Sequence, residues 1–445
     1  MQVIVLLTLL SASVCEFIAT LSPSLIYVKF VPEVLSIVIT VMVVLEGLRR
    51  GFRLVAVKYW VAFGLALFII VCGALTNSSG PGPIVAGMRS YLRAIPLFLV
   101  PAVFQFSDKQ LATQIKLILF IGLLQAPIAC YQRYIVWAAG RFSGDSVQGT
   151  ATESGILSTF LVCVAVVLLG YFMRKQISKV VFFPLFFTLL LPTMINETKA
   201  TVLLLPVGLL TTVVAGSPRG MRVKVFSLGV TLLLVFGAIM VPVYDYFASK
   251  NPYKDQQHLM DFFTNEKTLG NYIQADKQKT GIGSTKQVRR GDAIRVPLEY
   301  LAQDPVRMAF GLGLGNASHS NLGQQFVGTY FDLFQAFAYI SFSIFLLEIG
   351  ILGTILVFIL YAFVFFDAVA VARTDSNGPT SSLAVGWIGV VTVMSAATFY
   401  SAIHVYPILS YLYWYVAGIV AARRCQLALA SSATASMRTL RRSAA

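Results

Sequence analysis

The chain has 445 residues, of which 57% are hydrophobic and only 12% are charged. Soluble globular domains are about 45–50% apolar and about 25% charged, so this composition excludes an ordinary soluble domain. The net charge of +15 would suit a nucleic-acid-binding protein, but most lysines and arginines stand in short links between apolar segments, which is typical of membrane proteins, so no nucleic-acid partner is expected.

Apolar stretches recur along the whole sequence. A hydrocarbon core about 30 Å thick needs about 20 apolar residues per helix. Residues 1–20 include Glu16 and lack a cleavage-site pattern, so we interpret them as the first helix rather than as a cleaved signal. The sequence therefore predicts an all-α polytopic membrane protein of about twelve transmembrane helices, near residues 3–20, 24–48, 58–76, 86–106, 111–137, 153–173, 179–196, 199–216, 224–246, 340–370, 383–402 and 404–421.

Basic residues are distributed unequally between the two sides that these helices define. One side's short loops hold Lys29, Arg141 and Lys199, whereas the other side's links and the tail hold seventeen basic residues. Because short cytoplasmic loops are enriched in lysine and arginine, both termini are expected in the cytoplasm. The cytoplasmic set is Arg49, Arg50, Arg53, Lys58, Lys109, Arg174, Lys175, Lys179, Arg219, Arg222, Lys224, Arg373, Arg423, Arg424, Arg438, Arg441 and Arg442.

The longest connection, between the ninth and tenth predicted helices, is expected to be a folded subdomain on the outer side. Loops of this length inside a compact protein are usually functional. Within it, residues 293–304 predict a short amphipathic helix. The predicted organisation is thus helices 1–9 in residues 1–246, the loop subdomain in 247–331, helices 10–12 in 332–421, and a basic, Ala/Ser-rich tail in 422–445 that we expect to be disordered.

Charged residues at the outer ends of the predicted helices are candidates for function, because charges at membrane depth are expensive. Arg89 and Arg93 lie four apart, hence on one helix face. Arg133 stands among aromatic residues, Glu153 opens the sixth helix, and Lys199 ends a polar turn. Each has an ordinary alternative explanation, since an interfacial arginine can extend to lipid headgroups. Their convergence at one depth favours a binding site.

The loop adds further candidates. Arg289, Arg290 and Arg295 are followed by the sequence GLGLGN and by His319. Guanidinium groups bind phosphate oxygens in pairs, so clustered arginines suit a lipid pyrophosphate. A neutral imidazole at His319 is a candidate to take a proton from a sugar hydroxyl, with a solvated or structural histidine as the alternative. The glycines of this sequence are predicted to allow close approach of the backbone to a ligand or a tight re-entry into the membrane, and they are Gly311, Gly313 and Gly315.

The GxGxG pattern is not a dinucleotide fingerprint, because no strand–helix unit surrounds it. The five cysteines are scattered without metal-ligand spacing, and no Ser-His-Asp pattern or metal-binding cluster is evident. We therefore expect no metal and no cofactor.

Three motifs together resemble a known family. They are Arg290 fourteen residues before Pro305, the GxGxG turn at Gly311–Gly315, and the element Glu348-Ile349-Gly350-Ile351-Leu352-Gly353. In this order they resemble the O-antigen ligase and Wzy-type polymerase superfamily of the bacterial inner membrane. Members of that family have about twelve helices and a large periplasmic loop between the ninth and tenth, which agrees with the topology predicted above.

The resemblance implies an enzyme that uses an undecaprenyl-diphosphate-linked oligosaccharide as glycosyl donor, within the lipid bilayer and without metal. We expect Arg290, His319 and Lys199 to be the catalytic residues, Arg290 and Lys199 from the resemblance and His319 from its imidazole beside the glycine-rich turn. A chain-length regulator and a flippase are the protein partners that the resemblance suggests. The residues expected to bind substrate are Arg89, Arg93, Arg133, Glu153, Arg289, Arg295, Gly311, Gly313, Gly315 and Glu348.

Two departures from the family pattern bear on the type of enzyme. Lys199 stands where the family usually has arginine, and it keeps the charge but loses the planar fork. The ligase histidine normally lies about ten residues before the E-x-G element, whereas His319 lies 29 residues before Glu348. This favours a polymerase that extends a polysaccharide. The alternatives are a ligase that attaches glycan to lipid A-core or protein and, less favoured, a lipid-oligosaccharide flippase or other transporter.

Overall fold

The computed structural model describes residues 1–136, 146–217, 220, 222–249, 259–266, 270, 288–320, 322–375 and 378–443, and in these residues it contains helices and no strand. Arg141, Arg219 and most of the predicted loop between 250 and 287 lie outside the described residues. The helices are α1 Gln2–Leu21, α2 Val31–Arg50, α3 Val57–Thr76, α4 Pro81–Leu92, α5 Ile95–Phe104, α6 Asp108–Tyr131, α7 Ser154–Met173, α8 Lys179–Ile195, α9 Ala200–Gly216, α10 Arg222–Ser249, α11 Leu259–Thr264, α12 Asp292–Leu301, α13 Pro305–Phe310, α14 Phe331–Phe334, α15 Ser341–Thr374, α16 Pro379–Ala397 and α17 Pro407–Ser443.

Eight described helical segments are long and apolar enough to cross a membrane, and the bent pair α4 and α5 forms a ninth if it is counted as one span. The apolar helices α8 and α9 are shorter, at 17 residues each. The predicted class of an all-α, multi-pass membrane protein is confirmed. The count of twelve spans stays a prediction.

The centre of the bundle is formed by α7 and α16, whose apolar windows are each 83% buried. Small residues let the two helices approach closely, as is common where membrane helices pack. A Cβ atom on Gly170 would lie 2.5 Å from the Gly386 nitrogen, and one on Gly386 would lie 2.6 Å from the Val167 Cα. Both helices therefore need glycine at this crossing.

The predicted fourth helix, residues 86–106, is divided into α4 and α5, which meet at an angle of 45°. Pro96 stands in the first turn of α5 and has no N–H to continue the hydrogen bonds of α4. The bend occurs at Arg93 and Ala94, so Arg93 lies at a helix junction rather than inside one continuous helix.

The prediction of a disordered tail is wrong as far as Ser443, because α17 continues from Pro407 to that residue. Alanine and the long basic side chains of the tail are good helix formers, and the apolar first half of α17 nucleates the helix. The Ala/Ser-rich composition favoured disorder only when the tail was considered apart from the preceding helix.

Long-range contacts define the two ends of the bundle. At one end, which we call the loop end, the segment 288–340 contacts the end of α3 and the start of α4: the Asn77 side chain donates to the Gly311 carbonyl at 2.9 Å, and Asn316 donates to the Ser79 Oγ at 2.7 Å. At the opposite end, Lys58 pairs with Asp367 at 2.7 Å and Arg423 pairs with Asp375 at 2.8 Å. The candidate residues named from the sequence lie at the loop end.

Candidate functional site

Two arginines at the bend between α4 and α5 share one carboxylate. Arg89 donates from Nε and Nη2 to the two oxygens of Glu33 at 2.7 and 2.6 Å, and Arg93 donates from Nη1 to the same carboxylate at 2.8 Å. Arg93 also donates to the carbonyl of Val405. The four-residue spacing thus places both guanidinium groups together, as predicted, and Glu33 at the start of α2 fixes their orientation.

Glu153 stands immediately before α7 and is half-buried. Burial raises the pKa of its carboxyl above the ordinary value, while the Tyr406 hydroxyl, the charge of Arg290 and the Ser401 hydroxyl act in the opposite direction. Gly155 leaves room for this arrangement, since a Cβ there would lie 2.8 Å from the Ser401 Oγ and 3.6 Å from a Glu153 oxygen. A carboxyl with a raised pKa in a partly open position is suited to accept a proton.

Arg290 reaches the same place from the loop. Its guanidinium carbon lies 4.8 Å from the centroid of the Tyr400 ring, which is a cation–π distance. The stacked planar group keeps its N–H donors in one plane, directed at the edge of the stack. Because the charge of Arg290 acts on Glu153, the loop arginine and the carboxyl at the start of α7 belong to one site.

Glu16, near the end of α1, connects these two groups. Thr152 donates from Oγ1 to a Glu16 oxygen at 3.3 Å, and the charge of Arg93 acts on the same carboxyl. Glu16 in turn acts on Tyr406, which interacts with Glu153. We call this set the charged cluster, and its members are Glu16, Glu33, Arg89, Arg93, Glu153, Arg290, Tyr400 and Tyr406.

A second, more buried pair lies beside the charged cluster. Arg133 donates to Glu197 at 2.9 Å, and their side chains are 3% and 0% exposed. Asn196 donates to the Ser154 carbonyl at 3.3 Å, which joins this pair to the start of α7. Lys199 is half-buried at the start of α9. Arg133 is thus enclosed by protein, and the predicted catalytic role of Lys199 stays a prediction.

The loop arginines do not all face the charged cluster. Arg295 on α12 pairs with Asp292 at 3.0 Å and with Glu299 at 2.9 Å, and all three belong to the same helix surface. Arg289 is half-buried next to Arg290. Arg290 is connected to Glu153 by its contact with Tyr400 and by its charge.

The structure brings a different histidine to the site from the one selected in the sequence. His319 is exposed, and its ring centroid lies 5.3 Å from that of Phe331. His404 instead lies beside Arg93, with its Nδ1 2.8 Å from the Ser341 Oγ. Burial, followed by the charge of Arg93, lowers the pKa of His404 to about 3, so its imidazole is neutral at physiological pH.

The GxGxG turn contacts protein backbone. Leu312 donates its N–H to the carbonyl of Leu347 at 2.6 Å, and a Cβ on Gly311 would lie 2.6 Å from the Gly350 nitrogen. Gly350 has φ +64° and interrupts α15 at this point. Gly311 therefore lies close to α15, and Gly313 and Gly315 lie close to the end of α3 and the first turns of α4. The predicted close approach to a ligand stays a prediction.

Glu348 lies under this turn and is 1% exposed. The Ala317 N–H donates to its Oε1 at 3.3 Å, and the hydroxyls of Ser318 and Tyr91 lie beside it. The E-x-G element and the GxGxG turn thus form one contact, in which Glu348 holds the turn. The substrate-binding role that the resemblance implied for Glu348 and the glycines stays a prediction.

The structure also contains an apolar groove of about 460 Å³. It runs between α12 and α15 and is lined by Leu298, Phe342 and Phe358, among others. Phe342 stacks on Phe399 at 4.5 Å between ring centroids. Phe399 precedes Tyr400, the residue against which Arg290 packs, so one pair of aromatic contacts links the groove lining to the charged cluster.

Four cluster members were not selected from the sequence: Glu33, Tyr400, Tyr406 and Glu16, which had served only to argue against a signal peptide. The available signal was the rarity of carboxylates inside apolar segments. Glu16 and Glu33 both fulfil that criterion. The two tyrosines gave no such signal, because aromatic residues are common at both membrane interfaces.

No known protein-family model matches the chain, and no curated protein matches it. In the described residues, no three His, Cys, Asp or Glu side chains are grouped to hold a metal ion. Function is therefore inferred from the chemistry of the charged cluster and of the groove beside it.

Proposed function

We propose that the chain is a Wzy-type polysaccharide polymerase of the bacterial inner membrane. In this proposal it transfers a glycan from undecaprenyl diphosphate to a sugar hydroxyl of a lipid-linked repeat unit on the periplasmic side. The observation that supports the proposal is the placement of Arg290 beside the partly buried carboxyl of Glu153, together with an apolar groove of about 460 Å³ whose lining residue Phe342 packs on Phe399, the neighbour of Tyr400. A lipid-linked glycan has parts that suit these features: its polyprenyl chain suits the groove, its pyrophosphate suits Arg290, and the sugar hydroxyl that it reacts with suits the carboxyl of Glu153.

The proposed reaction assigns each part a role. The polyprenyl chain lies along α15 in the groove, and the pyrophosphate meets Arg290. The bond between the sugar's anomeric carbon and the pyrophosphate oxygen breaks as the acceptor hydroxyl attacks that carbon, and Glu153 takes the hydroxyl proton. Arg290 stabilises the negative charge that develops on the leaving diphosphate, which is the usual function of fixed cations in such sites. Arg89 and Arg93, tied to Glu33, contribute positive potential at the same end.

Deletion of the gene distinguishes this proposal from its alternatives. A strain without the polymerase is expected to retain single repeat units, lipid-linked or transferred once, and to lose the ladder of longer products on a gel. If long polymer accumulates on its lipid carrier and fails to reach its final acceptor, the protein is a ligase. If repeat units remain confined to the cytoplasmic leaflet, it is a transporter.

The orientation of the chain is tested by reporter fusions. A reporter fused after Gly216 or after Arg424 is expected to indicate the cytoplasm, and a reporter fused within 260–290 is expected to indicate the periplasm. The reason is that basic residues are concentrated in the links on the side that contains Gly216 and Arg424. Alkaline phosphatase and a fluorescent protein, used in parallel at each position, give opposite signals. A cytoplasmic signal from the 260–290 fusion would contradict both the orientation and a periplasmic reaction.

A further inference from the structure

A second cavity, of about 480 Å³, lies at the end of the bundle opposite the charged cluster. It is enclosed by α6, α7, α8, α16 and α17, and most of its lining is aliphatic, as at Ile115, Val167 and Leu185. Its volume is within the range of about 300–1,000 Å³ that is usual for ligand sites. Within the membrane, an apolar cavity of this shape fits a hydrocarbon chain.

The lining also contains a cation. Lys116 is eight residues into α6, exposed, and forms no ion pair in the part of the chain that the structure describes. Charged side chains inside spans are rare and usually mark a function. Pro379, the first residue of α16, lines the same cavity, and a helix N-terminus carries a partial positive charge. Both features attract an anion to the mouth of the cavity.

A buried tryptophan lines the same cavity. Trp387 is 1% exposed, lines the cavity, and its Nε1–H has no acceptor among the described residues. A buried indole N–H usually has a hydrogen-bond partner, and leaving one without a partner is unfavourable. Since nothing described in the protein accepts this bond, the site lacks a carbonyl or similar acceptor at this depth.

We propose that this cavity is a binding site for an anionic glycerophospholipid. One acyl chain fills the aliphatic part, the phosphate lies near Lys116 and the first turn of α16, and an ester carbonyl accepts the hydrogen bond from Trp387. These three features correspond to the hydrocarbon, the charge and the acceptor of a single lipid molecule. The proposal is independent of the polymerase reaction, because the cavity is at the opposite end from the charged cluster.

The test uses quenching of tryptophan fluorescence by lipids with brominated acyl chains. The purified full-length protein is titrated in mixed micelles with dibrominated phosphatidylglycerol or dibrominated phosphatidylcholine. The part of the quenching that Trp387→Phe removes reports on the cavity. We expect half-saturation at an about 5-fold lower concentration of the anionic lipid, since one lysine near a membrane surface contributes about 1 kcal/mol.

Two variants and a matched control make the result specific. Lys116→Gln should remove the preference for the anionic lipid, whereas Lys109→Gln, at the start of the same helix and outside the cavity lining, should retain it. Ala112→Phe narrows the cavity from a half-buried position and should reduce quenching by both lipids. Circular dichroism and elution volume show that each variant is folded.

Three outcomes would overturn the proposal. Equal half-saturation by both lipids would mean that the cavity holds bulk bilayer lipid without recognising its charge. An unchanged preference in Lys116→Gln would place the anion elsewhere. Displacement of phosphatidylglycerol by a lower concentration of a polyprenyl phosphate would identify a different occupant.

Discussion

Replacement of Arg290 by alanine is expected to abolish polymer formation. Removal of one fixed group that stabilises a developing negative charge lowers turnover by about 10²- to 10³-fold, which is below detection for a ladder on a gel. Arg290→Lys should retain little activity, because an ammonium neither stacks on Tyr400 nor offers two parallel donors to a phosphate. The measurement is the length distribution of the glycan in a strain that carries only the variant gene.

The control for Arg290→Ala is a second arginine of the same loop whose side chain is partly exposed. Arg307 on α13 is 36% exposed and lies 3.6 Å from Asp304, so Arg307→Ala should leave the polymer unchanged. The amount of each variant in the membrane is measured in parallel. Full-length polymer from Arg290→Ala at a normal protein level would exclude Arg290 from the site.

Replacement of Glu153 by glutamine is expected to lower the rate of polymerisation by about 10²- to 10⁴-fold, which is the usual contribution of a general base. The amide keeps the size of the carboxyl and one oxygen that accepts hydrogen bonds, but it does not take a proton. Burial raises the pKa of Glu153, so below that pKa the carboxyl is protonated and inactive, and wild-type activity should increase as the pH rises through it. Purified protein with a synthetic lipid-linked substrate gives the pH profile.

His319→Gln is the matched comparison, because it also removes a proton acceptor and keeps a hydrogen-bonding group. The exposed position of His319 leads us to expect at most a partial defect, and the pH profile should keep its rise. If His319→Gln instead loses activity as completely as expected for Glu153→Gln, and Glu153→Gln is active, the base is the histidine of the loop.

The helices could be predicted from the sequence because each apolar stretch has a length set by the bilayer. The predicted amphipathic helix at 293–304 corresponds to α12, Asp292–Leu301. The bend at Arg93 was missed, although Pro96 could have indicated it. Proline is tolerated inside membrane helices as well as at their breaks, so its presence alone did not distinguish a continuous helix from a broken one.

The arginines of the candidate site could be found in the sequence, but the residues that they bind could not. Arg89 and Arg93 were found because their spacing is local to one helix. Their common partner Glu33 lies 56 residues before Arg89, and the sequence contains no local pattern that connects them. For the same reason the glycine turn was recognised as a place of close approach, while the surface that it approaches, at Gly350 of α15, was not.

The break in α15 has a consequence for how the protein is assembled during synthesis. The carbonyl of Leu347 receives its hydrogen bond from Leu312, which belongs to a different part of the chain. In hydrocarbon, an unsatisfied carbonyl costs several kcal/mol, and an uninterrupted helix would satisfy this one internally. Residue 312 is synthesised before α15, so its turn is available when that helix enters the bilayer. Insertion of the tenth predicted span and docking of the loop are therefore coupled steps of biogenesis, in which the earlier segment determines the final shape of the later one.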